Sequence, residues 1–394
     1  MNFNPILHGL RGMAAMMVLL YHWKESYPAF AGAYRQLPFL GTQWNLFLSV
    51  DFGWMGVLWF FVLSGYLLSA NLWHKPLSAM EVRHFWERRF ARIYPAVWIQ
   101  LPILLWLTAI VAGPLAVRWE SLVGNFVLWV VPFGGGVSPY NAVWWTLPIE
   151  LGFYLVLPAV LLFYRRLGWP LTLLLVVAIA AAWKLWVIAG NEGGNYRGSL
   201  ALMRSLPGAL FVFMCGFYIS HRQHHARPLR HGAGPWLLLL VLALFYGWIQ
   251  YLIAHRKTIL FEPGLLALND PILAMLIAAV IALLLRPDMA QSWINRVLSS
   301  RPMHWLGELS YGIYLWHYPC LRAMPKLFPG HWGGVENSAF ALVACLLFTL
   351  PAAALSYFLV ERPVLTWLAR RQNARRLAAT HNAEAPTGSA SRLP

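Results

Sequence analysis

Residues 146–189 read TLPIELGFYLVLPAVLLFY, then RRLGW, then PLTLLLVVAIAAAWKLWVIA. Two apolar blocks, 146–164 and 170–189, flank a short arginine-bearing break. Each is close to the roughly 20 residues a helix needs to cross the hydrocarbon of a bilayer. Backbone polar groups in lipid must be paired inside the segment, so such blocks are helical. The same pattern recurs along the chain. Further blocks fall at 9–23, 51–72, 95–117, 206–220, 235–254, 267–285, 306–323 and 339–361. The apolar stretch at 121–133 reads as a re-entrant or interfacial segment.

Composition agrees. Of 394 residues, 59% are hydrophobic and 11% charged, and the mean hydropathy is +0.56. Soluble proteins carry about 25% charged residues. The expected fold is therefore all-α, a polytopic membrane bundle of about ten transmembrane helices. The net charge of +16 invites a nucleic-acid reading. Its basic residues, however, lie in short loops and the tail, as the positive-inside rule requires, so no nucleic-acid partner is expected. The second, fourth, sixth and eighth loops and the tail hold about twice as many Lys and Arg as the other loops. That asymmetry puts both termini in the cytoplasm.

Residues 1–369 read as the membrane domain. Residues 370–394 read as a basic tail turning Ala/Ser/Pro/Thr-rich, expected to be disordered. The N-terminus lacks a basic region ahead of its apolar stretch and reads as a first helix, not a removed signal. Cys215, Cys320 and Cys345 show no paired spacing, so neither disulfides nor a metal site is expected.

Four stretches carry polar chemistry. In LHGLRGMAAMMVLLYHW (7–23), Arg11 and His22 are eleven residues apart, so they share one helix face about 16 Å apart. Taken alone, Arg11 reads first as a snorkelling anchor and His22 as an interfacial residue between Tyr21 and Trp23. In VWWTLPIELGFYLVLP (143–158), Glu150 is a carboxylate needing a partner in lipid. A histidine at similar depth would answer that need, although a structural ion pair is as good a reading. A carboxylate on one imidazole nitrogen orients the other as a general base. In RHFWERRFARIYP (83–95), Arg88, Arg89 and Arg92 form either a phosphate clamp or a topological cluster. In WLGELSYGIYLWHYP (305–319), Tyr311, Tyr314 and His317 bring hydroxyls and an imidazole into an apolar run.

Together these stretches resemble the acyltransferase 3 family over nearly the whole chain. Gly9–Gly12 with the Arg11–His22 spacing resembles that family's opening. GVLWFFVLSGYLLS (56–69), RRFARIYP (88–95), Trp145-Thr146 with Glu150, LGELSYGIYLWHYP (306–319) and SYFLVERP (356–363) follow in the family's order. Departures are His8 and Leu58, where an acid is usual, and Leu151, where many relatives have a second acid.

The resemblance implies an acyl-CoA donor, most commonly acetyl-CoA, arriving from the cytoplasm, and a hydroxyl acceptor on a cell-surface glycan or lipid-linked saccharide. It implies a bacterial inner (plasma) membrane protein with no permanently bound cofactor. On that reading His22 is the base, Glu150 orients it, and Arg11 holds the donor. Arg88, Arg89, Arg92 and Tyr311 bind the donor, while Asp51, Trp145 and His317 line the acceptor path, with Trp54 and Trp144 nearby. Both direct transfer and an acyl-His22 intermediate fit. The competing class is a transporter or flippase of a lipid-linked saccharide or small metabolite.

Overall fold

A computed structural model of the chain describes residues 4–27, 37–39, 42–44, 48–112, 117–131, 136–191, 195–225, 232–255 and 258–384. In chain order the main helices are α1 (Pro5–Ser26), α2 (Gly56–Leu72), α3 (Ala79–Ala112), α4 (Leu147–Ala189), α5 (Leu206–His225) and α6 (Gly234–Ala254). They continue with α7 (Pro263–Leu284), α8 (Arg301–Glu308), α9 (Ser310–Leu327), α10 (Ser338–Ser356) and α11 (Arg362–Glu384). A small antiparallel hairpin pairs Leu37–Phe39 with Thr42–Trp44. The 121–133 stretch contributes a short helix, Trp119–Phe126, hung on α3. Trp98 Nε1 donates to the Phe126 carbonyl and the Tyr94 hydroxyl to that of Val127.

Among the described residues, six helices are long and apolar enough to cross a membrane, against about ten expected. The difference has a physical source. The blocks at 146–164 and 170–189 run together as α4, which breaks at Gly168 (φ 77°). The blocks at 9–23, 206–220 and 306–323 form α1, α5 and α9, whose ionisable and aromatic-polar side chains dilute their apolar character. These three pack against other helices: α1 lies on α2, α8 and α9, and α5 lies on α2, α4 and α7. Helices with polar side chains belong in a bundle's interior.

Prolines inside the helices create a second constraint. A proline lacks the N–H that would bond the carbonyl four residues earlier, and in lipid that carbonyl needs another donor. Pro158 frees the Tyr154 carbonyl, which accepts from Trp86 Nε1 at 2.9 Å. Pro271 frees that of Ala267, which accepts from Lys184 Nζ at 2.7 Å. Pro319 frees that of Leu315, which accepts from Gln100 Nε2 at 2.9 Å and Asn141 Nδ2 at 2.8 Å. Gln100 Oε1 in turn accepts from Trp144 Nε1 at 2.9 Å. Gln100→Leu leaves a buried indole N–H unpaired, which costs about 1–3 kcal/mol. The expected result is a lower melting temperature for the purified protein. An unchanged one would mean that the Trp144 N–H contributes nothing through Gln100 and that Asn141 alone suffices for the Leu315 carbonyl.

The stretch beyond Arg370, expected to be disordered, begins instead as helix: α11 runs on to Glu384. Its Ala, Leu and Arg content favours helix, and α3 anchors it. Gln372 donates to Glu87 and to the His84 carbonyl and accepts from Arg88, while Arg375 lies 3.8 Å from Glu87. Residues 385–394 lie outside the described residues.

Candidate active site

α1 reaches its place because Gly12 lets it lie on α8. A side chain there would run into Leu306 and the Gly307 backbone. Towards the far end of α1, His22 meets His317 of α9. His22 Nδ1 lies 3.0 Å from His317 Nε2 and 3.1 Å from the Val18 carbonyl. His317 Nδ1 lies 2.9 Å from the Ile313 carbonyl.

Carbonyl oxygens only accept, so His317 carries its proton on Nδ1 and presents a bare Nε2. His22 Nδ1–H donates to that nitrogen. The remaining nitrogen, His22 Nε2, keeps its lone pair. It has no protein partner among the described residues. His22 lines a cavity of about 210 Å³ with Trp54, Trp145, Tyr314, Arg204 and Asp270. An imidazole whose tautomer is fixed in this way is arranged to accept a proton.

Glu150 does not orient His22, contrary to expectation. Its carboxylate accepts from the Tyr154 hydroxyl and, at 3.2 Å, from Ser64 Oγ. It lines a second cavity with Arg11, Arg89, Arg92 and Tyr311. Sequence periodicity gives depth along a helix but not the direction it faces, so the nearest partner of His22 was misassigned. Glu150 sits in the first turn of α4, where the helix dipole favours a carboxylate.

The four arginines divide. Arg92 pairs with Glu361 at 3.0 Å and lies over the Tyr311 ring, whose hydroxyl donates to the Ile93 carbonyl. Arg88 donates to Gln372. Arg11 and Arg89 have no ion pair among the described residues; they meet the rings of Phe60 and Phe85. Arg89 Nε is buried without a hydrogen-bond partner. A third, open cavity of about 400 Å³ is lined by His8, Arg11, Arg88, Arg89 and Arg92. It shares Arg11, Leu67, Arg89 and Arg92 with the second cavity, which shares Val57, Phe61 and Tyr314 with the first. The three adjoin in series from a basic mouth to His22.

Of the remaining expected residues, Trp145 lines the His22 cavity. Asp51 does not. Its carboxylate faces Lys24 at 3.4 Å, a buried cation that takes it away from any acceptor. Sequence reasoning missed Arg204 and Asp270, which form a two-pronged pair at 2.8 and 3.1 Å inside that cavity, with Arg204 over Trp54. The signal was present, since Asp270 is an acid inside an apolar run. Leu58, where the family often has an acid, lines the same cavity, and His8 lines the basic mouth.

A bundle with six helices of membrane-crossing length and apolarity, enclosing polar cavities, is an integral membrane protein. It belongs to the acyltransferase 3 family, whose acyltransferase domain matches residues 4–358. The chain is 26% identical to the peptidoglycan O-acetyltransferase OatA of Listeria monocytogenes, covering 92% of this chain and 56% of that protein. It is 22% identical to the O-acetyltransferase OatA of Staphylococcus aureus, covering 92% and 57%. The chain thus spans about half the length of the curated relatives it matches. No solved structure matches it.

Proposed function

We propose that the protein moves an acyl group, acetyl in the first instance, from acyl-CoA to a glycan hydroxyl, with His22 as general base. The observation that carries this reading is the bare His22 Nε2, held by His317 at the end of a series of cavities that begins among arginines. Arg11 and Arg89, with forks not committed to a carboxylate, suit the phosphates of a nucleotide. A pantetheine arm would run past Tyr311 and Tyr314 to bring its thioester to His22. The Lys/Arg asymmetry supports a basic mouth on the cytoplasmic side of a bacterial plasma membrane, where acyl-CoA is made.

In the step itself, His22 Nε2 takes the acceptor's proton as the hydroxyl oxygen attacks the thioester carbonyl. The carbon–sulfur bond breaks, and the CoA thiolate recovers that proton from the imidazolium. Trp54 and Trp145 offer apolar faces to a sugar ring, and the Arg204–Asp270 pair offers polar edges. The relatives' names favour peptidoglycan or a related saccharide as acceptor.

Purified protein given labelled acetyl-CoA and glycan tests the reading. Label should reach glycan with wild type and not with His22→Ala. Uptake of an unmodified saccharide into vesicles without acyl transfer would establish the carrier instead. Arg89→Ala should raise the KM for acetyl-CoA about tenfold or more, the effect of one lost charge-assisted hydrogen bond. Arg88→Ala should do much less, since that side chain is engaged by Gln372. Equal effects of the two would sink the assignment of the clamp.

A further inference from the structure

A fourth cavity is not part of this series. It measures about 820 Å³, lies between α4, α5 and α7, and shares no lining residue with the other three. Its walls are apolar, built from Trp169, Leu173, Phe211, Met214, Ala279 and Leu283 among others. Helix α5 separates it from the His22 cavity: Gly208 and Val212 face His22, and Phe211, Met214 and Tyr218 face the large cavity. All its charged lining residues are Arg222, Arg286 and Asp288; Arg222 and Gln223 stand in the last turn of α5, and Arg286 and Asp288 just beyond the end of α7. Gly208 and Arg222 are about 21 Å apart along α5, so this rim lies at the opposite end from His22. The cavity therefore does not house the tail of an acceptor whose hydroxyl meets His22.

The rim is short of acceptors. Asp288 already accepts from Arg286 at 2.8 and 2.9 Å and from the Gly232 and Gly234 N–H groups at 3.2 and 3.0 Å. Arg286 holds that carboxyl well below the usual carboxylate range. Gln223 uses its oxygen to accept from Tyr66, which turns its NH2 outward as a donor. Arg222 is exposed and makes no ion pair among the described residues. An apolar slot beside membrane-crossing helices, closed by a rim of donors, fits an anion joined to a hydrocarbon chain.

We propose that this cavity binds an anionic phospholipid from the surrounding bilayer, its phosphate at Arg222 and Gln223 and an acyl chain between α4, α5 and α7. The proposal stands apart from the acyl-transfer reading.

Native mass spectrometry of the full chain in detergent micelles, titrated with phosphatidylglycerol or phosphatidylcholine, tests it. Phosphatidylglycerol should be retained about fivefold more strongly, because the choline cation offsets the phosphate charge that both lipids present to Arg222. Arg222→Glu, a change at an exposed side chain, should erase that preference. Ala279→Trp, which fills the slot, should remove retention of both lipids. Equal retention of the two lipids by wild type overturns the proposal, as does retention unaffected by either substitution. Inorganic phosphate alone should leave the melting temperature unchanged. Stabilisation by phosphate matching that by the lipid would make the rim a site for soluble anions and sink the lipid assignment.

Discussion

His22→Ala is expected to lower kcat by about 10²–10⁴-fold, the range for losing a general base, with the melting temperature close to that of wild type. The side chain is only part-buried and its hydrogen bonds are to His317 and the Val18 carbonyl, so folding depends on it little. His317→Phe should cost less, because the Val18 carbonyl still accepts from His22 Nδ1. The decisive comparison is the double variant. If His317 acts through His22, adding His317→Phe to His22→Ala should change nothing further. Losses that multiply would mean that His317 meets the substrate itself.

Gly216→Val should abolish folded, monodisperse protein or depress its melting temperature severely. Helices α2 and α5 cross at paired glycines. A side chain on Gly216 would occupy the place of the Val62 carbonyl, and one on Gly65 that of the Phe213 carbonyl. Small residues at such crossings let backbones approach closely. A branched side chain must push the two helices apart, costing about 3 kcal/mol or more. The crossing also sets α5, whose opposite faces line the His22 cavity and the large cavity. Gly247→Ala in α6 is the matched control. A Cβ there meets nothing within 4 Å, so it should be neutral or slightly stabilising. Equal damage from both variants would show that the crossing is not the cause.

Much of this was legible in the chain. Apolar block length identified the helices, and the Arg11–His22 spacing identified one helix carrying both side chains. The break at Gly168 was marked by the arginine pair before it. What was not legible depended on which way helices face. Glu150 was the expected partner of His22 and His317 was placed on the acceptor path, and only the packing of α9 beside α1 brings His317 to His22 instead. Likewise Arg88, Arg89 and Arg92 read as one clamp. Their division follows from Gln372 and Glu361, partners that lie more than 250 residues further along the chain. Asp270 was a fair signal passed over, an acid whose cost in lipid calls for a partner.

The three proline-opened carbonyls share a direction in time. Trp86 precedes Tyr154, Lys184 precedes Ala267, and Gln100 and Asn141 both precede Leu315. As the ribosome feeds the chain into the bilayer from its N-terminus, each orphaned oxygen emerges after its donor has already been threaded. None of these three kinks has to await a rescuer not yet synthesised.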